Sequence, residues 1–260
     1  MDHLRAIALT YPAAVSDRQV ADIPRIVDHL AILFEAVKPP ATICDLGGGI
    51  GLFSIGCTFL GYRAVVVDDF SDPINAELGD HALRPLRNAG VRVVTRDFVR
   101  NGLGPEVGEV DAFTTFESLE HWHDSPKALL RDVAATLPDK GVLIIGTPNS
   151  VNLRKRLTTA LGRTHWSSMD DWYEQPIFRG HVREPRMADL EYIIADVGLT
   201  LERKVGRNWL GYVSPHRMSR LLTPYLDRLL RPMPTLCADI YVVGRKHCAT
   251  AEHGREPTSH

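Results

Sequence analysis

"ATICDLGGGIG", residues 41–51, is the stretch of sequence that decides the fold. Its first six residues form an apolar run with the length of a buried β-strand, and four of the next five are glycines. Glycines let the backbone turn tightly and approach a ligand with no side chain in between. A helical pattern continues to about Leu60, so the stretch predicts a strand, a tight turn and a helix.

Strands and helices alternate after this turn. Further strands are predicted at YRAVVVDD (62–69), VRVVTRDF (91–98), VDAFTTF (110–116) and KGVLIIGTPN (140–149). The segment SPKALLRDVAATL (125–137) predicts a helix, with Ser125 as its cap and Pro126 in its first turn. A later helix, MADLEYIIADVG (187–198), lies before the strands LTLERKVGR (199–207) and CADIYVVGRK (237–246). This alternation predicts a doubly wound α/β sheet that binds its ligand at the carboxyl ends of the strands.

An N-terminal helix is predicted at SDRQVADIPRIVDHLAILFEAV (16–37). Ser16 and Gln19 have the spacing of a capping box, which would start the helix at Ser16. Its apolar stripe consists of Ile23, Ile26, Val27, Leu30 and Leu33.

The second predicted strand ends in an acid, Asp68, 17 residues after Gly51. An acid at this place can accept hydrogen bonds from both hydroxyls of a ribose. Asp69 is interpreted as its solvated neighbour. The dinucleotide fingerprint GxGxxG does not fit, because the third glycine is missing after Gly51.

DLGGGIG (45–51) instead resembles the DxGxGxG signature of class I S-adenosylmethionine-dependent methyltransferases. TRDF (95–98), LPDKGVLIIGTPN (137–149) and the closing strand pair are similar to the corresponding parts of that family. The resemblance implies a Rossmann-like sheet of seven strands with an antiparallel last strand. It also implies S-adenosylmethionine as cofactor, and the cofactor-binding residues would be Asp45, Gly47, Gly49, Asp68, Asp97 and Phe98. Gly47 and Gly49 would approach the methionine part, Asp68 the ribose, and Asp97 with Phe98 the adenine.

The stretch ESLEHWHD (117–124) follows the fourth predicted strand and holds three carboxylates and two histidines. Glu117, Glu120 and His121 are spaced i, i+3 and i+4, so one helical turn would place them on one face. Anionic and neutral donors that converge on one point need a cation, since the carboxylates otherwise repel each other. A divalent metal is the simplest such cation.

Glu117, Glu120 and His121 resemble the metal-binding ExxEH of two methyltransferase subgroups. One subgroup methylates a catechol-type hydroxyl of ubiquinone precursors, and the other the terminal 2′-hydroxyl of plant small RNAs. The second also uses a later histidine, which His181 in FRGHVRE (178–184) matches. The resemblance therefore implies a site of two glutamates and two histidines, with Mg²⁺ or Mn²⁺ expected. In methyltransferases without a metal, such a glutamate is a hydrogen-bond acceptor instead.

The expected reaction is an in-line transfer of the methyl group to an alcohol oxygen. A bound metal lowers the pKa of the alcohol, and a histidine could remove the proton. His121 and His123 are the candidates for this base. His123 could equally be a surface histidine before the helix cap.

Segment 151–184 is expected to form a lid over the acceptor and contains Trp166, Trp172, Tyr173 and Phe178. These aromatic side chains either contact a sugar ring or an aromatic acceptor, or pack the lid onto the core. The chain also resembles bacterial methyltransferases of polysaccharide pathways. The expected acceptor is therefore a hydroxyl of a sugar or oligosaccharide, and in the narrowest reading position 1 of a methylated mannoside. The alternatives are a quinone-type phenol, a terminal ribose, or a cofactor-binding protein without turnover.

Composition narrows the possible partners. The net charge of −2 over 260 residues argues against nucleic-acid binding, and no apolar stretch is long enough to cross a membrane. Four scattered cysteines and the lack of a signal-peptide pattern predict a cytoplasmic protein. We expect one domain at 1–246, with its core at 41–150 and 185–246, and a disordered tail at 247–260. The Leu- and Arg-rich segment 215–232 would either cap the cleft or pair with a second subunit in a homodimer.

Overall fold

The computed structural model describes residues 1–72, 77–214 and 216–247. Its strands are β1 (Thr42–Leu46), β2 (Arg63–Asp68), β3 (Arg92–Thr95), β4 (Ala112–Phe116), β5 (Val142–Pro148), β6 (Thr200–Arg207) and β7 (Asp239–Arg245). They form one sheet in the order β3-β2-β1-β4-β5-β7-β6. β7 is antiparallel to both β5 and β6, and the other pairs are parallel. The predicted Rossmann-like sheet of seven strands, with its reversed last strand, is confirmed.

Helices cover both faces of the sheet. They are α1 (Asp2–Ala8), α2 (Ala13–Ala36), α3 (Leu52–Phe59), α4 (Asp80–Asn88), α5 (Phe98–Asn101), α6 (Lys127–Thr136), α7 (Leu153–Ala160), α8 (Met187–Asp196) and α9 (Arg217–Leu230). One apolar layer contains Ile26 of α2 and Ile55 of α3. The opposite layer contains Leu130 of α6 and Leu190 of α8. The sheet is therefore doubly wound, as predicted.

The order of strands creates a crevice between β1 and β4. From β1 the chain moves outward to β2 and β3, and then returns to the other side of β1 to form β4. Helices on either side of such a switch point diverge, which leaves a cleft at the carboxyl ends of the strands. The glycine turn after β1 and the ESLEHWHD segment after β4 both open into this cleft.

The N-terminal helix differs from its prediction in two details. α2 begins at Ala13 after Pro12, and Ser16 lies inside it, so Ser16 is not the cap. Pro12 can precede a first turn because its fixed φ suits that place, and the buried Val15 extends the packed face. Gln19 donates to the carbonyl of Ile50 at 3.4 Å instead of closing a capping box. Val27 is 36% exposed, whereas the other four residues of the stripe are buried.

Helix α6 begins two residues after the predicted cap. Pro126 precedes its first residue, Lys127, and the Ser125 hydroxyl accepts from the Lys127 N–H at 3.4 Å.

The segment expected to form the lid contains α7 and a short π-helical turn at Asp170–Glu174. Trp166, Trp172 and Tyr173 are 60–80% exposed, so they do not pack the lid onto the core. Beyond His247, the tail expected to be disordered lies outside the described residues. The domain boundaries stay a prediction.

Candidate functional site

The glycine turn after β1 is packed on one side and open on the other. Gly47 and Gly49 have left-handed φ values of +72° and +53°, which only glycine adopts without strain. A Cβ atom at Gly47 would lie 1.8 Å from the hydroxyl oxygen of Ser118. A Cβ atom at Gly49 would meet no atom nearer than a carboxylate oxygen of Asp68, at 4.0 Å. The open side therefore faces Asp68, where the cofactor is expected.

Asp68 connects the end of β2 to this turn. One of its carboxylate oxygens accepts from the Gly49 N–H at 2.9 Å, and the other accepts from the Phe70 N–H at 2.7 Å. Burial raises the pKa of Asp68 to about 6, although these two hydrogen bonds act to lower it. Each carboxylate oxygen can accept a second hydrogen bond, so the group can still bind the two hydroxyls of a ribose.

Asp45 lies beneath the turn. Its carboxylate is buried and accepts from the Thr114 hydroxyl at 2.8 Å and from the Ser54 hydroxyl at 3.3 Å. Burial raises its pKa to about 7. A Cβ atom at Gly48 would lie 2.1 Å from the same carboxylate. Asp45 therefore shapes the turn from below and joins β1 to β4.

Asp97 and Phe98, the two residues expected to contact the adenine, lie in different environments. Phe98 is buried and meets the Trp122 ring edge-on, with 5.4 Å between the ring centroids. Its ring also lies 3.5 Å from where a Cβ atom of Gly47 would be, so it borders the glycine turn. Asp97 accepts from the Arg100 N–H at 3.1 Å and caps α5.

Three of the four predicted metal ligands come together after β4. Glu120, His121 and His181 each offer one ligand atom, and these atoms lie within 4.8 Å of one another. The imidazole rings of His121 and His181 are 4.8 Å apart and nearly perpendicular. One carboxylate and two imidazoles are a ligand set that proteins use for divalent metals. His123, the alternative base, is exposed and is not one of the three.

Backbone hydrogen bonds of the segment expected to form the lid place His181 beside Glu120. The carbonyl of Glu120 accepts from the N–H groups of Val182 at 2.7 Å and Arg183 at 3.2 Å. The Glu120 side chain is 1% exposed and accepts from the Thr147 hydroxyl at 3.2 Å. Burial, and then the charge of Glu117, raise the pKa of Glu120 to about 8. A cation beside Glu120 would stabilise the ionised form of its carboxyl group.

Glu184 orients His181, and sequence reasoning missed it. Its carboxylate accepts from Nδ1 of His181 at 2.7 Å and also pairs with the largely buried Lys155. Burial acts to raise the pKa of Glu184, but the hydrogen bonds from His181 and Lys155 outweigh it and lower the pKa. A carboxylate on the far nitrogen is the usual partner of a metal-binding histidine. The i, i+3 spacing in HVRE was the available signal.

Glu117 lies outside the helical turn that contains Glu120 and His121. Its φ is +53°, a left-handed value that is uncommon outside glycine. The following helical turn is a 3₁₀ turn, Leu119–His121, so the predicted single α-helical face is wrong. One carboxylate oxygen lies 3.8 Å from Arg25, and the other is buried without a partner. Burial raises the pKa of Glu117, while the charges of Arg25 and His181 lower it.

A buried polar cluster near Glu117 was also missed. Among the described residues, Nε of Arg25 is buried without a hydrogen-bond partner, and a hydrogen bond from the Trp209 side chain acts to lower the pKa of Asp239. The Arg25 guanidinium lies 4.6 Å from the centre of the Trp209 ring. Burial, and then the charge of Glu117, raise the pKa of Asp239. Asp239 begins an antiparallel strand opposite Pro148, so it lies at the cleft edge, a position that the reversed strand could have revealed.

The reversed seventh strand, the glycine turn at the switch point and the acid at the end of β2 together define a class I S-adenosylmethionine-dependent methyltransferase. The chain belongs to a methyltransferase-domain family, whose model matches residues 17–204. None of the curated proteins compared with the chain gives a significant match.

Solved structures of methyltransferases share the fold. Magnesium protoporphyrin IX methyltransferase from Synechocystis PCC 6803, with bound SAH, has a TM-score of 0.53 and 16% identity over 89% of this chain and 87% of that one. An S-adenosylmethionine-dependent methyltransferase from Mesorhizobium loti has a TM-score of 0.54 and 18% identity, over 87% of this chain and 98% of that one. 1,6-Didemethyltoxoflavin-N1-methyltransferase from Burkholderia thailandensis has a TM-score of 0.51 and 18% identity, over 90% of this chain and 81% of that one. At these identities the likeness shows the fold alone.

Proposed function

We propose that the protein is an S-adenosylmethionine-dependent O-methyltransferase that uses a divalent metal to bind a sugar hydroxyl. The observation that carries the proposal is the meeting of Glu120, His121 and His181 within 4.8 Å of one another. This group follows β4, which borders β1 and its cofactor turn in the sheet. A hydroxyl held there would lie in the same cleft as the methyl donor.

The donor atoms fit a divalent ion of intermediate softness. Imidazole ligands suit transition metals such as Fe²⁺ and Zn²⁺. Of the two expected ions, Mn²⁺ is favoured because it is the transition metal and accepts nitrogen ligands more readily than Mg²⁺ does. Glu120, His121 and His181 would hold it, and three protein ligands leave positions free for acceptor oxygens. When bound, the ion would lower the pKa of the acceptor hydroxyl.

The residues around the group would manage the proton. Burial lowers the pKa of His121, and the charge of His181 acts in the same direction, so the His121 ring is kept neutral. A neutral imidazole can bind a cation or accept a proton. The unpartnered oxygen of Glu117 is a second acceptor in the same part of the cleft. Methyl transfer would leave the acceptor oxygen as an ether and the cofactor as S-adenosylhomocysteine. The hydroxyl proton would go to this oxygen of Glu117, because His121 would already be a ligand of the ion.

The buried polar cluster supports a sugar as the acceptor. Nε of Arg25 is a buried donor without a partner, and the free oxygen of Glu117 is an acceptor. Trp209 and Asp239 add a donor and an acceptor that already act on each other. Adjacent hydroxyls of a sugar ring both donate and accept, so they can pair with such a mixed set. The narrowest candidate acceptor is position 1 of a methylated mannoside.

The test is turnover of S-adenosylmethionine with a panel of sugars, a catechol and a ribose-terminated oligonucleotide. Chelation should abolish turnover, and Mn²⁺ should restore it better than Mg²⁺. Glu120→Gln and His181→Ala should lose activity but keep affinity for S-adenosylhomocysteine, whereas His81→Ala, at an exposed histidine of α4, should keep both.

An acceptor without the hydroxyl next to the methylated one should react poorly, because it would lose one of two contacts to the ion. Full activity after exhaustive chelation, with no metal by elemental analysis, would remove the metal from the proposal. If only the catechol or only the oligonucleotide were methylated, that compound class would replace the sugar as the proposed acceptor. Cofactor binding without turnover on any acceptor would favour a non-catalytic protein.

A further inference from the structure

Helix α9 turns its apolar side to solvent and a largely polar side to the protein. Of its 14 residues, only Thr223, Asp227 and Leu230 are buried. The Thr223 hydroxyl donates to the Ser219 carbonyl at 2.7 Å. Asp227 accepts from Asn208 at 3.1 Å and from Arg231 at 2.7 Å. Of these contacts, the one from Asn208 joins α9 to another part of the chain, whereas the other two are local to the helix and its C-terminal end.

The outward face of α9 is a continuous apolar stripe. It consists of Met218, Leu221, Leu222, Tyr225, Leu226 and Leu229, which are 48–77% exposed. Their spacing of i, i+3, i+4, i+7, i+8 and i+11 places them on one side of the helix. Met233, just beyond the helix, is also exposed. A contiguous apolar surface of this kind marks an interaction site, whereas isolated exposed apolar residues do not.

Charge around the apolar stripe identifies the kind of partner. Arg217, Arg220 and Arg228 are exposed and, at 3.6 residues per turn, fall along one flank of the stripe. The only acid of α9 is Asp227, which is buried and paired with Arg231. The stripe of a second copy would bring arginines against arginines, with no exposed acid from either helix. An anionic surface with an apolar interior fits better.

The segment expected to form the lid, 151–184, contacts the chain after α9 and also exposes aromatic residues. Arg156 of α7 donates to the carbonyl of Thr235 at 3.2 Å, which connects the lid to the segment after α9. Trp166, Trp172 and Tyr173 are exposed in the lid. Trp and Tyr favour the boundary between water and lipid, because each has an apolar ring and one polar group. No helix of the described residues is long and apolar enough to span a membrane.

We propose that the apolar stripe of α9 docks on the surface of an anionic phospholipid bilayer. The helix would lie in the plane of the interface, with its stripe among the acyl chains and its arginines among the headgroup phosphates. This docking rests on α9 and the lid, and it does not depend on the metal or on the acceptor.

The test is co-sedimentation of the full-length protein with phosphatidylcholine vesicles, with and without an equal part of phosphatidylglycerol. The wild-type protein should bind the mixed vesicles and not the neutral ones, and salt should weaken binding. Arg217→Gln and Arg228→Gln should each lower binding about fivefold. The double variant Leu221→Glu/Tyr225→Glu should abolish it, because both charges would enter the apolar stripe.

Tyr192→Glu is the matched control. Tyr192 is 67% exposed on α8, which packs on the opposite sheet layer from α2. Arg231, directly after α9, lies 3.9 Å from Asp28 of α2. This end of α9 is therefore on the same side of the sheet as α2, and Tyr192 is on the other side. Calorimetric binding of S-adenosylhomocysteine would show that every variant is folded, independently of turnover.

Three results would overturn the proposal. The first is that the wild-type protein binds no anionic vesicles, or binds neutral ones equally well. The second is that the double variant still binds. The third is a wild-type dimer without vesicle binding that Leu221→Glu/Tyr225→Glu makes monomeric in light scattering, because a second copy would then cover the stripe.

Discussion

Alanine at Gly47 and at Gly49 should damage the protein in two different ways. Both glycines have left-handed φ values, of +72° and +53°, and this conformation costs an alanine about 1–2 kcal/mol. At Gly47 the new Cβ atom would also lie 1.8 Å from Oγ and 2.7 Å from Cβ of Ser118. Forcing extra atoms into a packed site adds about 1–3 kcal/mol. We therefore expect Gly47→Ala to lower the free energy of unfolding by about 2–5 kcal/mol.

Gly49→Ala should lower the free energy of unfolding by only about 1–2 kcal/mol, the backbone part. Its Cβ atom would meet no atom closer than Asp68 Oδ2 at 4.0 Å. That space faces the carboxylate expected to bind the ribose, so the added methyl group would occupy the cofactor's side of the turn. Gly49→Ala should therefore impair cofactor binding more than it impairs folding.

Urea unfolding and calorimetric titration with S-adenosylhomocysteine measure the two effects separately. Ser118→Gly removes both atoms that clash with the alanine of Gly47→Ala. Combining these two substitutions should recover the steric part, compared with Ser118→Gly alone, and leave the backbone part. Equal destabilisation by Gly47→Ala and Gly49→Ala, or no recovery in the double variant, would refute the reasoning.

Three further predictions concern the cofactor, the metal and the lid. Because the folded protein holds the pKa of Asp68 at about 6, its carboxylate should gain a proton as pH falls through that value, and cofactor affinity should drop by up to about tenfold per pH unit. Calorimetry should show this slope in the wild-type protein and not in Asp68→Asn. Glu184→Gln should weaken Mn²⁺ binding about 10–100-fold, because His181 loses its carboxylate partner. The control in that titration, Glu174→Gln at an exposed position, should leave Mn²⁺ binding unchanged. Replacing lid residues 166–178 by a flexible linker should raise the KM for the acceptor while S-adenosylhomocysteine affinity, measured by calorimetry, stays unchanged.

The sequence alone determined the doubly wound fold, because its signals are local. Apolar runs of strand length, helical periodicity and glycines that permit a left-handed φ are properties of neighbouring residues. They predicted the turn at 45–51 and the acid Asp68. The ExxEH resemblance likewise predicted Glu117, Glu120 and His121 as metal ligands. The match of FRGHVRE (178–184) to a later histidine of one subgroup predicted His181. The sense of the last strand came from the family resemblance.

Only the tertiary structure decided which polar groups meet. With its left-handed φ, Glu117 stays outside the 3₁₀ turn that contains Glu120 and His121, and no spacing rule predicts such a backbone. Glu117, Arg25, Trp209 and Asp239 come from four distant parts of the chain and are brought into one electrostatic neighbourhood by strand order and by the reversal of β7.

The exposure of the α9 stripe was equally beyond the sequence, because an amphipathic pattern identifies an apolar face without identifying its partner. From the sequence, segment 215–232 could either cap the cleft or pair with a second subunit, and the pattern does not choose between them. The structure instead buries Thr223 and Asp227 and exposes the leucines. Burial depends on which surfaces the completed sheet leaves available, and that is a property of the whole fold.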